Sequence, residues 1–168
     1  MRVMFVVIVL ALMGLAAYLA YTVRTVVHEP AEWHVDPLTV LPSETPNSFR
    51  VAIPAFTEYE VMLEAPIYDA DAQTLALAFD EFVMAQPRVE RIAGTVAEGW
   101  ITYVQRTETL QFPDYISVRF YDLEAGENAD SAQATIAIYS RSRFGYADMG
   151  VNQERVTRWM TALESFER

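Results

Sequence analysis

A chain of 168 residues, 52% of them hydrophobic, leaves room for one domain of ordinary size. All 12 basic side chains are arginine and there is no cysteine, which excludes thiol nucleophiles, disulfides, thiolate metal sites and Schiff-base or phosphate-loop lysine chemistry. A formal charge of −11 argues against nucleic acid as a partner, because phosphate contacts need a positive surface.

Residues 3–23 form an uncharged apolar run bounded by Arg2 and Arg24. At about 1.5 Å rise per residue it is roughly 31 Å long, the thickness of a bilayer's hydrocarbon core. Residues 1–24 are therefore expected to be a transmembrane anchor with the lipid bilayer as partner. A cleavable signal peptide is the rival reading, but cleavage after Ala20 would put Tyr18 where a small residue is wanted. The terminal amine and Arg2 precede the span, and only Arg24 follows closely. That bias of one charge favours a cytoplasmic N-terminus with the domain outside, in the periplasm of a bacterium.

Residues 25–47 carry Pro30, Pro37, Pro42 and Pro46 and no periodicity. Proline blocks both helix and sheet ladders, so this is a stalk or a wrapping segment. Fully extended, it would hold the domain about 70 Å from the membrane. Trp33 in its middle is expected to dock on the domain or at the lipid interface. His34 and Asp36 alternate and are placed to pair.

Residues 48–168 can bury a core of their own. A β-prone stretch at 59–67 precedes a helix capped by Asp69 or Asp71, with Ala72, Leu75, Ala76, Phe79, Phe82 and Val83 on its apolar face and Pro87 stopping it. Strands are predicted over 88–96, 100–107, 115–123 and 132–143, the last two joined by a polar loop at 124–131. A closing helix over 152–166 shows Val156, Trp159, Met160, Leu163 and Phe166 on one side. The predicted class is α+β: a mainly antiparallel sheet of four to five strands with two helices packed on one face.

Alternation divides the strands. Ile116, Val118, Phe120, Ile136 and Ile138 suit the helix-covered face. Tyr115, Ser117, Arg119, Tyr121, Tyr139, Arg141 and Arg143 fall on the other. That second set reads either as a solvated face with cross-strand pairs or as a recognition surface for an anion or a protein.

The most distinctive stretch is residues 139–155, with Arg141, Ser142, Arg143, Gly145, Asp148, Gly150, Asn152 and Arg155 at fixed spacing. It resembles the Arg-Ser-x-Ser/Arg-x-Gly-x-x-Asp-x-Gly-x-Asn-x-x-Arg hallmark of the family catalogued as domain of unknown function 1499. Trp33-His-Val-Asp-Pro37 with Pro46-Asn47, and Phe112-Pro-Asp-Tyr115, fit the same family. Where this chain has Phe112-Pro-Asp, many relatives carry paired aspartates, and the departure removes one carboxylate from that place. The resemblance implies a bacterial membrane-tethered or exported protein and implies no activity.

Physically, the hallmark reads as a strand end, a glycine-pinned turn and a helix start. Asn152 is a candidate N-cap, and Asp148 lies where a helix dipole favours an anion. Arg141 and Arg143 share one side of the strand, with Asp114 and Asp148 as candidate partners. The set is either an Arg/Asp lattice locking sheet to helix or a pocket for a carboxylate or phosphate. Val151 and Asn152 stand where a phosphate loop needs Lys-Ser/Thr, so it is not a nucleotide site.

Catalytic chemistry has few carriers. The two histidines, His28 and His34, lie in the proline-rich segment, and Ser140 and Ser142 lack a neighbouring base. No metal or cofactor is expected. The expectation is a membrane-anchored envelope protein that binds an anionic small molecule, a lipid or a protein partner. Its candidate site is Arg141, Arg143, Asp148, Asn152, Arg155, Asp114 and Trp33. The alternatives are a small hydrolase using Asp114 or Asp148, and a purely structural envelope protein.

Overall fold

The computed structural model describes residues 1–124 and 132–167. The predicted loop therefore falls, apart from Glu124, outside the described residues.

Helix α1 (Arg2–Arg24) is long and apolar enough to cross a membrane, and almost its whole surface is open. A one-turn helix α2 (Pro30–Trp33) follows, with Pro30 at the position where a missing N–H costs nothing. The domain then runs β1 (Ser48–Ala52), β2 (Leu63–Glu64), β3 (Ile67–Tyr68), α3 (Ala72–Met84), β4 (Val89–Thr95), β5 (Trp100–Arg106), β6 (Pro113–Leu123), β7 (Gln133–Ser142) and α4 (Val151–Met160). A 3₁₀ turn over Thr161–Phe166 closes it.

The sheet has seven strands, not four to five, and is mixed. Strands β4 to β7 form the predicted antiparallel meander. The addition lies on the free edge of β7, where β1 and β3 pair end to end, and β2 runs parallel to β1. The β-prone stretch at 59–67 yields only the short β2 and β3, because Pro66 interrupts it. A bulge separates Arg91 from Ala93 in β4, and just beyond it Gly94 takes φ +74°. A Cβ on Gly94 would lie 1.9 Å from the Trp100 carbonyl oxygen, so only glycine fits that approach.

Both domain helices cover one face. Asp71 caps α3 by accepting from the Thr74 amide at 2.7 Å and the Thr74 hydroxyl at 3.0 Å. Leu75, Phe79 and Val83 of α3, with Val156, Trp159 and Leu163, meet Ile101, Tyr103, Ile116, Val118, Ile136 and Ile138 of the sheet. Burial at this scale stabilises by about 1.5–3 kcal/mol per large side chain. Trp159 packs edge to face on Phe79 and Tyr103, with ring centroids 6.2 and 5.8 Å apart, and those two rings meet at a tilt at 6.4 Å.

The opposite face is not solvated. Residues 25–47 lie across it as a strap, so no extended 70 Å stalk exists. Trp33, 6% exposed, stacks on Tyr115 with centroids 3.6 Å apart. His34 stacks on Trp100 at 4.0 Å and bonds Thr102 at 2.8 Å, while Asp36 pairs with Arg119. The expected His34–Asp36 pairing is thus replaced by two separate clamps onto the sheet. The strap then crosses β7 and β1, where the Ser43 amide donates to the Tyr139 hydroxyl and Arg50 donates to the Val40 carbonyl.

Candidate functional site

The seven candidate residues gather at one end of β5, β6 and β7, the end that meets α1. Period-two alternation splits them between the two faces. Asp114 shares the parity of Ile116 and lies under the helices. Arg141 and Arg143 share the parity of Tyr139 and lie under the strap. The expected pairing of these arginines with Asp114 and Asp148 is therefore corrected: the sheet stands between them.

On the strap side, Arg141 lies over the Trp33 ring at 4.5 Å and donates to the Glu32 carbonyl at 3.0 Å. Arg143 donates to the Val27 carbonyl and, at 3.1 Å, to the Tyr115 hydroxyl. The result is a layered stack of guanidinium, indole and phenol that fastens the strap. His28 joins it, with Nδ1 2.7 Å from the Tyr115 hydroxyl and Nε2 3.0 Å from Arg106 Nη2. A guanidinium only donates, so Nε2 accepts and Nδ1 carries the proton. Burial, then the charge of Arg106, holds the His28 pKa below the ordinary histidine value.

On the helix side, Arg155 is buried and donates from all three of its nitrogens. Nε reaches Gln105 at 2.7 Å, Nη1 reaches Asn152 at 2.7 Å and Ser140 at 3.3 Å, and Nη2 pairs with Asp114. Asp114 is 2% exposed and Arg155 4%. Burial pushes the Asp114 carboxyl above the ordinary aspartate range, against the opposing pull of Arg155 and the Ser142 hydroxyl. Asn152 also bonds the Asn47 carbonyl, Ser142 and Asp148. It is not the N-cap. Gly150 takes that place at φ +84°, and Asp148 caps the helix by accepting from the Gly150 and Asn152 amides at 3.1 and 2.9 Å. The hallmark on this face is a filled lattice that ties β5, β6 and β7 to the first turn of α4.

A groove of about 230 Å³ opens beside that lattice, lined by Arg88, Gln105, Arg106, Thr107, Glu108, Val151, Glu154, Arg155 and Arg158. Four of the chain's 12 arginines converge there. Arg88 adopts φ +59°, a conformation that costs a non-glycine residue about 1 kcal/mol or more. Its Nε donates to the Arg106 carbonyl, and the Arg106 amide donates back to the Arg88 carbonyl. Among the described residues the other non-glycine positions at positive φ, Gln111 and Met149, lie in loops at the same end of the sheet. Sequence reasoning missed Arg88, Arg106 and Arg158, because they come from three elements with no shared spacing. Among the described residues no cluster of His, Asp and Glu is arranged to hold a metal ion.

A family model for proteins of unknown function, DUF1499, matches residues 39–163. The chain belongs to the DUF1499 family. No curated protein matches it. The DUF1499 match contains β1 to β7, both domain helices, the buried lattice and every arginine of the groove. Helix α1, His28 and Trp33 lie before the DUF1499 span.

Proposed function

We propose that this chain is a membrane-anchored binding module that takes an anionic, phosphate-bearing group into the groove beside Arg155. The observation that carries the reading is that the exposed Arg88 and Arg158 line one groove, against the tethered Arg106 and the buried Arg155, in a protein of net charge −11. Arginine forks match phosphate oxygens two at a time, and Arg155 is held in place beneath them by Asp114 and Gln105. With Arg155 neutralised by Asp114, Arg88, Arg106 and Arg158 outweigh Glu108 and Glu154 in the lining, so the groove is net positive and favours an anion.

In this reading α1 is a single-pass anchor, with the N-terminus in the cytoplasm and the domain in the periplasm or outside. The hallmark acids are scaffold rather than acid/base catalysts: Asp114 is committed to Arg155 and Asp148 to the start of α4. That favours binding over hydrolysis. The phosphate belongs to a lipid headgroup or to a free phosphate compound, and one experiment separates the two.

The full-length protein is placed in nanodiscs of zwitterionic lipid, and its melting temperature is followed with inorganic phosphate or with phosphatidylglycerol added to the disc. Stabilisation by phosphate alone identifies a soluble ligand class. Stabilisation by the anionic lipid alone identifies a headgroup. Arg158→Glu and Arg88→Gln, both on exposed side chains, should remove the shift. A wild-type protein stabilised by neither addition overturns the proposal.

A further inference from the structure

The last two turns of α1 do not stand clear of the domain. Arg106 Nη1 donates at 3.1 Å to the Val23 carbonyl, one of the orphan acceptors at the helix C-terminus, and at 3.0 Å to the Gln111 carbonyl in the β5–β6 loop. One guanidinium thus fastens that loop to the end of the helix. Beside it an apolar crevice of about 220 Å³ runs between Ala16, Leu19, Ala20 and Val23 of α1 and Thr109, Leu110 and Phe112 of the loop. Leu19 lies about 6 Å below Val23 along the helix axis at the standard rise. The loop tip is therefore level with the apolar span and not above it.

We infer that the β5–β6 loop enters the leaflet into which α1 is anchored, with Leu110 immersed among the lipids and the crevice open to acyl chains. The inference rests on the reading of α1 as a membrane anchor. Leu110 is 58% exposed. Phe144 of the β7–α4 loop is also partly exposed and packs on Phe112 with centroids 6.0 Å apart, which widens the apolar ledge. The ledge is continuous with the open apolar surface of α1 itself, which fixes lipid as its occupant. Gln111, at φ +60° between Leu110 and Phe112, sets the turn that aims the tip towards the helix. The domain is thus held at the bilayer by two points, and the mouth of the arginine groove, which shares Arg106, is held at headgroup level.

The chain contains no cysteine, so single-cysteine variants report one position each. Full-length L12C, L110C and E98C proteins carry an environment-sensitive fluorophore and are reconstituted in vesicles whose lipids bear a nitroxide near the headgroup or near the bilayer centre. Leu12 lies mid-span in α1, and Glu98 lies in the exposed β4–β5 turn at the opposite end of β5. The expected result is quenching at 12 chiefly by the deep label, at 110 chiefly by the shallow label, and at 98 by neither. Quenching at 12 with none at 110 overturns this inference and leaves the anchor standing. Loss of quenching at 12 overturns the anchor reading itself.

Discussion

Arg155 and Asp114 form an ion pair from which water is almost wholly excluded, between a helix and the first residues of a central strand. Such a pair contributes little as a net attraction, because each charge has lost its hydration. Breaking it, however, leaves one charge buried alone. Asp114→Asn is therefore expected to destabilise the domain by about 3–5 kcal/mol. Replacing both residues by apolar ones of similar volume should recover most of that loss. Urea unfolding of the two variants beside the wild type checks both statements. A single variant as stable as the wild type would mean that Arg155 finds another acceptor.

The strap is fastened chiefly through Trp33. Trp33→Ala removes the stack on Tyr115 and the platform beneath Arg141, at a cost of about 3–5 kcal/mol. The expected signature is local: faster amide exchange over residues 25–47 and over the outer face of β5 and β6, with the helix-side core still protected. Uniform loss of protection would show that the strap and the core unfold together.

The stability of this end of the domain should depend on pH through His28. Its folded pKa is depressed by burial and by Arg106, with Arg143 adding to the effect and Glu90 opposing it. The folded state thus binds fewer protons than the unfolded chain. Stability is complete above the ordinary histidine value of about 6.5 and is lost as the pH falls below it towards the folded pKa. His28→Gln keeps a hydrogen-bonding side chain without the titration. It should flatten the dependence of melting temperature on pH just below 6.5, where His34, which burial also lowers, makes a parallel contribution.

Two glycines at positive φ should respond differently to alanine. At Gly94 the added Cβ meets the Trp100 carbonyl, and Gly94→Ala is expected to cost about 2–4 kcal/mol from strain and overlap together. At Gly150 the space is open and only the backbone preference is lost, so Gly150→Ala should cost about 1–2 kcal/mol. Equal effects would show that the bulge in β4 shifts to accept the methyl group.

Most of the architecture was legible in the sequence, and so were the family and the capped helix, because periodicity and turn chemistry carry that information locally. Strand β1 was not. Phe49 and Val51 alternate with Arg50, but over a run of five residues between Pro46 and Pro54 that is too short to read, and that arginine is buried because the strap covers it and supplies the Val40 carbonyl. Alternation placed Arg141 with Tyr139, while the predicted strand over 115–123 left Asp114 just outside it; the strand begins at Pro113, which sets Asp114 with Ile116. Carried two residues further back, alternation separates the arginines from Asp114, but not from Asp148, which lies in the loop before α4. The groove was out of reach, since Arg88, Arg106 and Arg158 meet only through the pairing of β4 with β5 and the seat of α4 on β7.

Docking of residues 25–47 on the sheet alters what the domain can meet. A free segment of that length would let it search a hemisphere several nanometres deep for dilute partners. With the strap spent on the sheet, only the few residues between Val23 and His28 join helix to domain, so an α1 anchored as proposed would reduce the search to lateral diffusion in a thin layer at the bilayer surface. Under that proposal, molecules resident in the layer would meet the groove at a high effective concentration, and modest affinity per encounter would suffice.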